Sequence, residues 1–331
     1  MASQTTLKRP PKLILGCSNF GSPSDPFCRT TSAEEAAVLL SIFGSYGHDT
    51  IDTARRYPPQ APGTSEELLG EALDLLRREH KAETDIMIQR SPEIHVDTKV
   101  LSAPGCHKPE NIQESISASL SALHVSSVNT IYLHYPDKTV PLSEPVAALS
   151  SAVANGQAKQ WGVCNYTLDE VWEILRLCNQ YGWRRPAVYQ GEHNALNRVN
   201  EQLIKFCHEQ GIAFYAYSPA AAGVFSPSGS RVGADTPAGQ RIRALYGGTE
   251  MRSAVQEVRD AARRRGLSGH EVAIRWAFWD SILDGAHGDG VIIGVSNQKQ
   301  LTDTCEFLGK GGLGDGVREV VEKVWDSVKP K

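Results

Sequence analysis

The chain has 331 residues, a formal net charge of -4, 40% hydrophobic residues and 22% charged residues. That is enough apolar material for a large core, and it excludes a disordered, collagenous or coiled-coil chain. A mildly acidic balance makes the chain a poor candidate for binding nucleic acid, a role that calls for a basic face, and no nucleic-acid partner is expected.

Short apolar runs alternate with amphipathic stretches along the whole chain. The predicted strands are LILGCSN from Leu13, DTIDTA from Asp49, DIMIQRS from Asp85 and NTIYLHYP from Asn129. AKQWGVCNY from Ala158, AVYQGEHN from Ala187, AFYAYSP from Ala213 and GVIIGVS from Gly290 complete a set of eight. Helical spacing predicts Ser32–Phe43, Ser65–Arg77, Lys108–Leu123, Ser143–Ala154 and Thr167–Gln180. It continues with Asn200–Glu209, Ala254–Arg264, an added helix Gly269–Trp279, then Asn297–Phe307 and Gly316–Ser327. Pro109 suits the first turn of its helix. Ser226–Gly248, rich in Gly, Ser, Pro and Arg, reads as a loop that covers a ligand. Strict strand–helix alternation predicts a (β/α)8 TIM barrel, an α/β fold in which residues 1–331 form a single domain. A doubly wound sheet would carry a glycine-rich turn after its first strand, and no GxGxxG occurs there.

Seven cysteines at 17, 28, 106, 164, 178, 207 and 305 include no CxxC pair, so reduced thiols are expected and neither a disulfide framework nor a cysteine zinc site is. The histidines show no HxxxH or HxH spacing, and no metal site is expected. The polar start MASQTTLKRPPK lacks a signal-peptide core, and no apolar run approaches the ~18 residues of a membrane span. A cytoplasmic protein without a membrane partner is the expectation. Trp161, Trp172, Trp276 and Trp279 lie in apolar patterns and are expected to pack between helices and sheet. Cys17 reads as a small buried hydrophobe.

In a barrel of this kind the chemistry sits at the C-terminal ends of the strands. Those ends carry Asp52 with Tyr57 close behind, Arg90 on the predicted third strand, His134, Cys164–Asn165, Gln190, Tyr217–Ser218 and Ser296. A tyrosine, a carboxylate, a cation and a histidine make a proton-transfer set. A phenol is a poor acid near neutrality unless a cation assists it.

The segments IDTARRY, IYLHYPD, WGVCNY, VYQGEHN, FYAYSP and GAHGDGVIIGVSNQKQL resemble the aldo-keto reductase superfamily. GWRRPAVYQGEHNALNR and GAHGDGVIIGVS in particular resemble its branch of aflatoxin-aldehyde and succinic-semialdehyde reductases. The resemblance runs from about Leu13 to the final helix. It implies a barrel that binds NADPH without a Rossmann domain and reduces an aldehyde or ketone. By position, Asp52, Tyr57 and His134 match three members of the family's catalytic tetrad, with Tyr57 as proton donor. Asn165 and Gln190 match the residues that hold the nicotinamide carboxamide, and Tyr217 the platform beneath its ring. Cys164 replaces the usual serine or threonine, a weaker donor. Ser218 opens the pyrophosphate-contacting loop. Ser296, Asn297, Lys299 and Gln300 fall in the segment for the adenosine end and its 2′-phosphate, where a helix start favours an anion.

Two departures from the family pattern stand out. Where the family reads Thr-Lys at the end of strand three, the predicted strand reads Gln89-Arg90, and guanidinium differs from ammonium in shape and charge density. The chain also stops at DSVKPK without the branch's longer arginine-bearing tail. The expectation is an NADPH-dependent reductase of a small-molecule carbonyl compound, monomeric or homodimeric and compatible with specialised metabolism. Two alternatives stay open: a non-redox isomerase, dehydratase or cyclase built around Arg90, and a cofactor-sensing regulatory protein.

Overall fold

A computed structural model describes residues 8–82, 93–226, 229 and 236–330. Eight parallel strands follow one another in sequence order around a closed barrel. They are β1 (Lys12–Gly16), β2 (Thr50–Asp52), β3 (His95–Lys99), β4 (Val128–Leu133), β5 (Ala158–Cys164), β6 (Val188–Glu192), β7 (Ala213–Tyr217) and β8 (Gly290–Gly294). The helices are α1 (Ala33–Ser45), α2 (Thr64–Ala82), α3 (Pro109–Ala122), α4 (Ser143–Ala154), α5 (Leu168–Tyr181) and α6 (Glu201–Glu209). The series continues with α7 (Pro237–Tyr246), α8 (Thr249–Arg264), α9 (Gly269–Arg275), α10 (Gln298–Gly309) and α11 (Asp315–Val328).

The chain divides into two compact units. One comprises Ile14–Gln190 and Ile293–Asp303. Its strands pair in register as Gly16↔Asp52, Asp52↔Asp97, Lys99↔Tyr132, Tyr132↔Gly162 and Cys164↔Gln190. Leu15, Ile51, Ile131, Leu133 and Val163 are buried between these strands and the inner faces of the helices, where Leu40, Phe43, Leu69, Ile112, Val146 and Ile174 lie. Helix starts are fixed locally. Ser32 accepts from the Glu35 amide at the head of α1, and Thr167 with Glu170 forms a capping box at the head of α5. Pro109 occupies the first turn of α3, as expected.

The other unit comprises Met1–Leu13, Gly191–Ile292 and Thr304–Lys331. Here β7 pairs with β8, and α8 and α11 bury Val258, Val321 and Val324. Arg198 lies 4.2 Å from the Trp276 ring centroid, bonds the Val321 carbonyl at 2.9 Å and pairs with Glu322, tying the C-terminal helix to the helical turn that follows α9.

Three expectations change. The third strand is His95–Lys99, and the predicted run from Asp85, with Arg90, lies outside the described residues. The stretch read as one loop contains α7, begun by Thr236, whose hydroxyl accepts from the Gly239 amide, with Pro237 at the first helical position. Residues 227–228 and 230–235 of that stretch lie outside the described residues. Trp172 is 57% exposed, because the apolar face of α5 is carried instead by Val171, Ile174, Leu175 and Cys178. Trp161, Trp276 and Cys17 are buried.

Candidate active site

The first unit gathers four of its strand ends around one ion pair. Asp52, the last residue of β2, and Lys99, the last residue of β3, are both buried. Lys99 Nζ donates to Asp52 Oδ2 at 2.6 Å and to the Thr53 carbonyl at 2.8 Å. Asp52 Oδ1 accepts from Gln190 Nε2 at 2.8 Å, so both carboxylate oxygens have donors. A buried pair in which every partner is bonded holds one geometry, and the same pair half-satisfied would be costly.

Tyr57 follows on the loop after β2. Several contacts fix that loop. The Gln60 amide donates to the buried Asp25 carboxylate at 2.7 Å. The Gly63 and Ser65 amides donate back to the Tyr57 carbonyl. Arg55 pairs with the fully buried Glu66 at 2.9 Å, which in turn accepts from Thr98 Oγ1 at 2.6 Å. The Arg55 guanidinium fills the space beside Gly63, whose φ is +91° and where a Cβ would lie 2.9 Å from it. The loop thus presents the Tyr57 ring to the ion pair, with Lys99 Nζ 5.0 Å from its centroid.

His134, the first residue after β4, meets Tyr57 edge-on, with ring centroids 5.5 Å apart and planes at 86°. Its other neighbour is Tyr135, stacked at 4.8 Å. Burial, reinforced by the charges of Lys99 and Arg56, holds the imidazole of His134 well below its ordinary pKa, so it is neutral near pH 7. Burial and then the negative charge of Asp52 push the Tyr57 phenol well above its ordinary range, so it keeps its proton. A protonated phenol, a neutral imidazole and a cation held by a carboxylate are the parts of a proton-donating site.

Asn165 follows β5 with φ 65°, a left-handed conformation that turns its side chain back along the strand end. Its Nδ2 donates to the His134 carbonyl and to Cys164 Sγ, each at 3.1 Å. Cys164 Sγ reaches Gln190 Oε1 at 3.7 Å, a long bond such as a thiol makes. The Gln190 amide is therefore engaged by Asp52 and Cys164. After β8, Asn297 Oδ1 accepts from the Gln300 amide at 2.9 Å, and Gln300 Oε1 accepts from the Ser296 amide at 2.8 Å. This reciprocal pair fixes the start of α10. Lys299 is 81% exposed along its side chain and pairs with Asp303 one turn on, at 2.7 Å. Asn19, after β1, donates to the Val295 carbonyl at 2.8 Å, and its buried Oδ1 has no hydrogen-bond partner.

In the second unit Tyr217 ends β7 and Ser218 follows with φ 54°. Arg241 on α7 reaches Glu192 Oε2 at 3.1 Å and Tyr217 Oη at 3.4 Å, and Glu192 also accepts from Tyr246.

The sequence reading missed Lys99. Thr98–Lys99 at the end of β3 is the Thr-Lys pair sought in the wrong run, and the cation attributed to Arg90 is supplied at this strand end by Lys99. The signal was in the sequence as DTKV, but DIMIQRS is the more apolar run and drew the strand ten residues upstream. Among the described residues no group of three or more His, Cys, Asp or Glu could hold a metal ion, and no helix is long and apolar enough to cross a membrane.

Residues 12–312 match the model of the aldo/keto reductase family. An aldo-keto reductase of Pseudocercospora fijiensis is 32% identical over 88% of this chain and 97% of its own. The oxidoreductase sirO of Leptosphaeria maculans is 31% identical over 96% of this chain and 95% of its own. The human aflatoxin B1 aldehyde reductase member 2 is 30% identical over 96% of this chain and 88% of its own. A glycerol dehydrogenase from Gluconobacter oxydans shares the fold, with a TM-score of 0.71 and 20% identity over 96% of this chain and 92% of that one. With a closed eight-stranded barrel and a buried Asp–Lys pair set against a tyrosine and a histidine at its strand ends, the chain belongs to the aldo/keto reductase family, an oxidoreductase fold that works on carbonyl compounds.

Proposed function

We propose that this protein reduces an aldehyde or ketone to an alcohol, with Tyr57 as proton donor and NADPH as reductant. The observation that carries the reading is the buried Asp52–Lys99 pair, with the ammonium 5.0 Å from the Tyr57 ring and His134 edge-on to that ring.

The residues of the first unit fit a nicotinamide dinucleotide. The buried, unpartnered Oδ1 of Asn19 lies on the loop bonded to Val295, beside the start of α10. A helix N-terminus attracts an anion, and Lys299 on its first turn adds a cation. Ser296, Asn297, Lys299 and Gln300 would hold the adenosine end, and Asn165 and Gln190 the carboxamide. Cys164 would orient both amides through its thiol. The roles of Tyr217 as ring platform and Ser218 at pyrophosphate rest on the family resemblance. When bound, the dihydronicotinamide supplies a hydride to the carbonyl carbon.

The chain's own groups handle the proton. Tyr57 Oη gives its proton to the carbonyl oxygen, and the positive charge of Lys99 offsets the phenolate that remains. Asp52 keeps Lys99 in place through the 2.6 Å bond to its Oδ2. His134, being neutral, donates a hydrogen bond to the same oxygen without competing as an acid. The lysine also removes the ground for a non-redox reaction, which rested on an arginine at that strand end.

The test is cofactor consumption with NADPH and with NADH, against aromatic and aliphatic aldehydes, by the parent and by Tyr57→Phe. The expected result is turnover by the parent with NADPH and loss of turnover in Tyr57→Phe with cofactor affinity retained. Equal rates in the two proteins would remove Tyr57 from the mechanism. Turnover of a carbonyl substrate with NADPH left unchanged would refute the reduction.

A further inference from the structure

A second carboxylate lies one layer deeper in the barrel than the Asp52–Lys99 pair. Asp97 precedes Lys99 by two residues on β3, so the two share a face of the strand, and it stands in register with Asp52 on β2 and Thr130 on β4. Asp97 is 0% exposed. Its Oδ1 accepts from Asn129 Nδ2 at 2.7 Å and its Oδ2 from Tyr132 Oη at 3.3 Å. Among the described residues no cation pairs with it, because Lys99 Nζ is turned to Asp52 and the Thr53 carbonyl. The Tyr132 ring reaches Asp97 across Gly162, where a Cβ would lie 2.6 Å from the ring, and Lys99 Nζ lies 5.8 Å from that ring's centroid. Gln160 on β5 bonds Thr130 at 3.0 Å and closes this polar floor.

A floor that needed only hydrogen bonds would not need a charge, and a buried carboxylate without a cation is expensive. We propose that Asp97 is a positioning residue for the reduction, a carboxylate beneath Lys99 and Asp52 whose negative charge governs how readily Tyr57 gives up its proton. This rests on the reading of Tyr57 as proton donor.

The groups that face Asp97 are Asp52 from β2, Lys99 from β3, and Asn129, Thr130 and Tyr132 from β4. Cys17 from β1, Tyr57 and His134 connect to it through Asp52 and Lys99. Burial pushes the Asp97 carboxyl up to about 6; the Asn129 hydrogen bond opposes this and the charge of Asp52 adds to it. Below that pH, Asp97 is neutral. Above it, Asp97 adds one negative charge beneath the Asp52–Lys99 pair. That charge disfavours the phenolate that proton transfer leaves on Tyr57. Reduction therefore slows as pH rises through about 6, well before the phenol itself titrates.

The experiment is the pH profile of kcat/KM and of kcat for reduction of a neutral aldehyde, for the parent, Asp97→Asn and Asn129→Ala. The parent is expected to fall by roughly three- to ten-fold across a step near pH 6, because Tyr57 gives up its proton less readily once Asp97 is ionised. Asp97→Asn should lose the step, with kcat changed more than KM. Asn129→Ala, which removes the strongest bond to the ionised form, should move the step to higher pH. An Asp97→Asn profile that keeps the step and is merely scaled down would overturn the proposal. Should Asp97→Asn fail to fold, an unshifted step in Asn129→Ala overturns it equally. Absence of turnover in the parent at every pH removes the proton-donor reading itself, a result distinct from turnover with an unmoved profile.

Discussion

Lys99→Met is the most informative single change. The substitution keeps the volume and flexibility of the side chain and deletes its charge. The ammonium lies 2.6 Å from Asp52 Oδ2 at 0% side-chain exposure. At an effective dielectric of about 20, unit charges 2.6 Å apart attract by about 6 kcal/mol. Desolvation offsets part of this, and breaking a buried pair by removing one partner costs about 3–5 kcal/mol. Asp52 keeps its bond from Gln190 at 2.8 Å, which sets the expectation at the lower end, about 3 kcal/mol. Urea unfolding followed by tryptophan fluorescence measures it. Adding Asp52→Asn should return part of the loss, because the stranded charge is then gone. Aldehyde reduction should fall by roughly 10²–10⁴-fold, since no other cation bonds Asp52 among the described residues. Turnover within threefold of the parent would remove Lys99 from the proton relay. A stability loss below about 1 kcal/mol would refute the energetic account of the pair.

Arg90→Lys should leave the rate of aldehyde reduction unchanged, because Lys99 already supplies the cation at the end of β3; a rate gain in steady-state assays would contradict this. Gly162→Ala forces a methyl to within 2.5 Å of the Val188 carbonyl and 2.6 Å of the Tyr132 ring, so it should lower stability by roughly 1–3 kcal/mol in a urea titration. Cys164→Ser substitutes a stronger donor for a thiol that now reaches Gln190 at 3.7 Å, and should lower the cofactor KM roughly two- to five-fold; an unchanged or higher KM would show that the thiol is not the weak link.

Much of the fold was legible in the sequence because its determinants are local. Seven of the eight strand runs and most helices follow from apolar spacing and from caps such as Ser32, Thr167 and Pro109. Asp52, Tyr57 and His134 were found because each stands at or just after a strand whose own hydropathy announces it. Helix α7 was obscured by the Gly, Ser and Arg around it, although Thr236–Pro237 is a legitimate start signal.

The third strand was not legible, and the reason is physical. HVDTK carries Asp97 and Lys99, two charges that a window of hydropathy assigns to the surface. Both are fully buried, because Lys99 finds Asp52 47 residues earlier in the chain and Asp97 finds Asn129 32 residues later. Alternation, strand ends and helix caps are properties of neighbouring residues, and the sequence alone determined them. Which cation meets Asp52, which carboxylate lies beneath it and which face of α5 looks outward depend on partners far apart in the chain. Burial of a charge is decided only when the strand that compensates it arrives alongside, and that is a property of the tertiary structure.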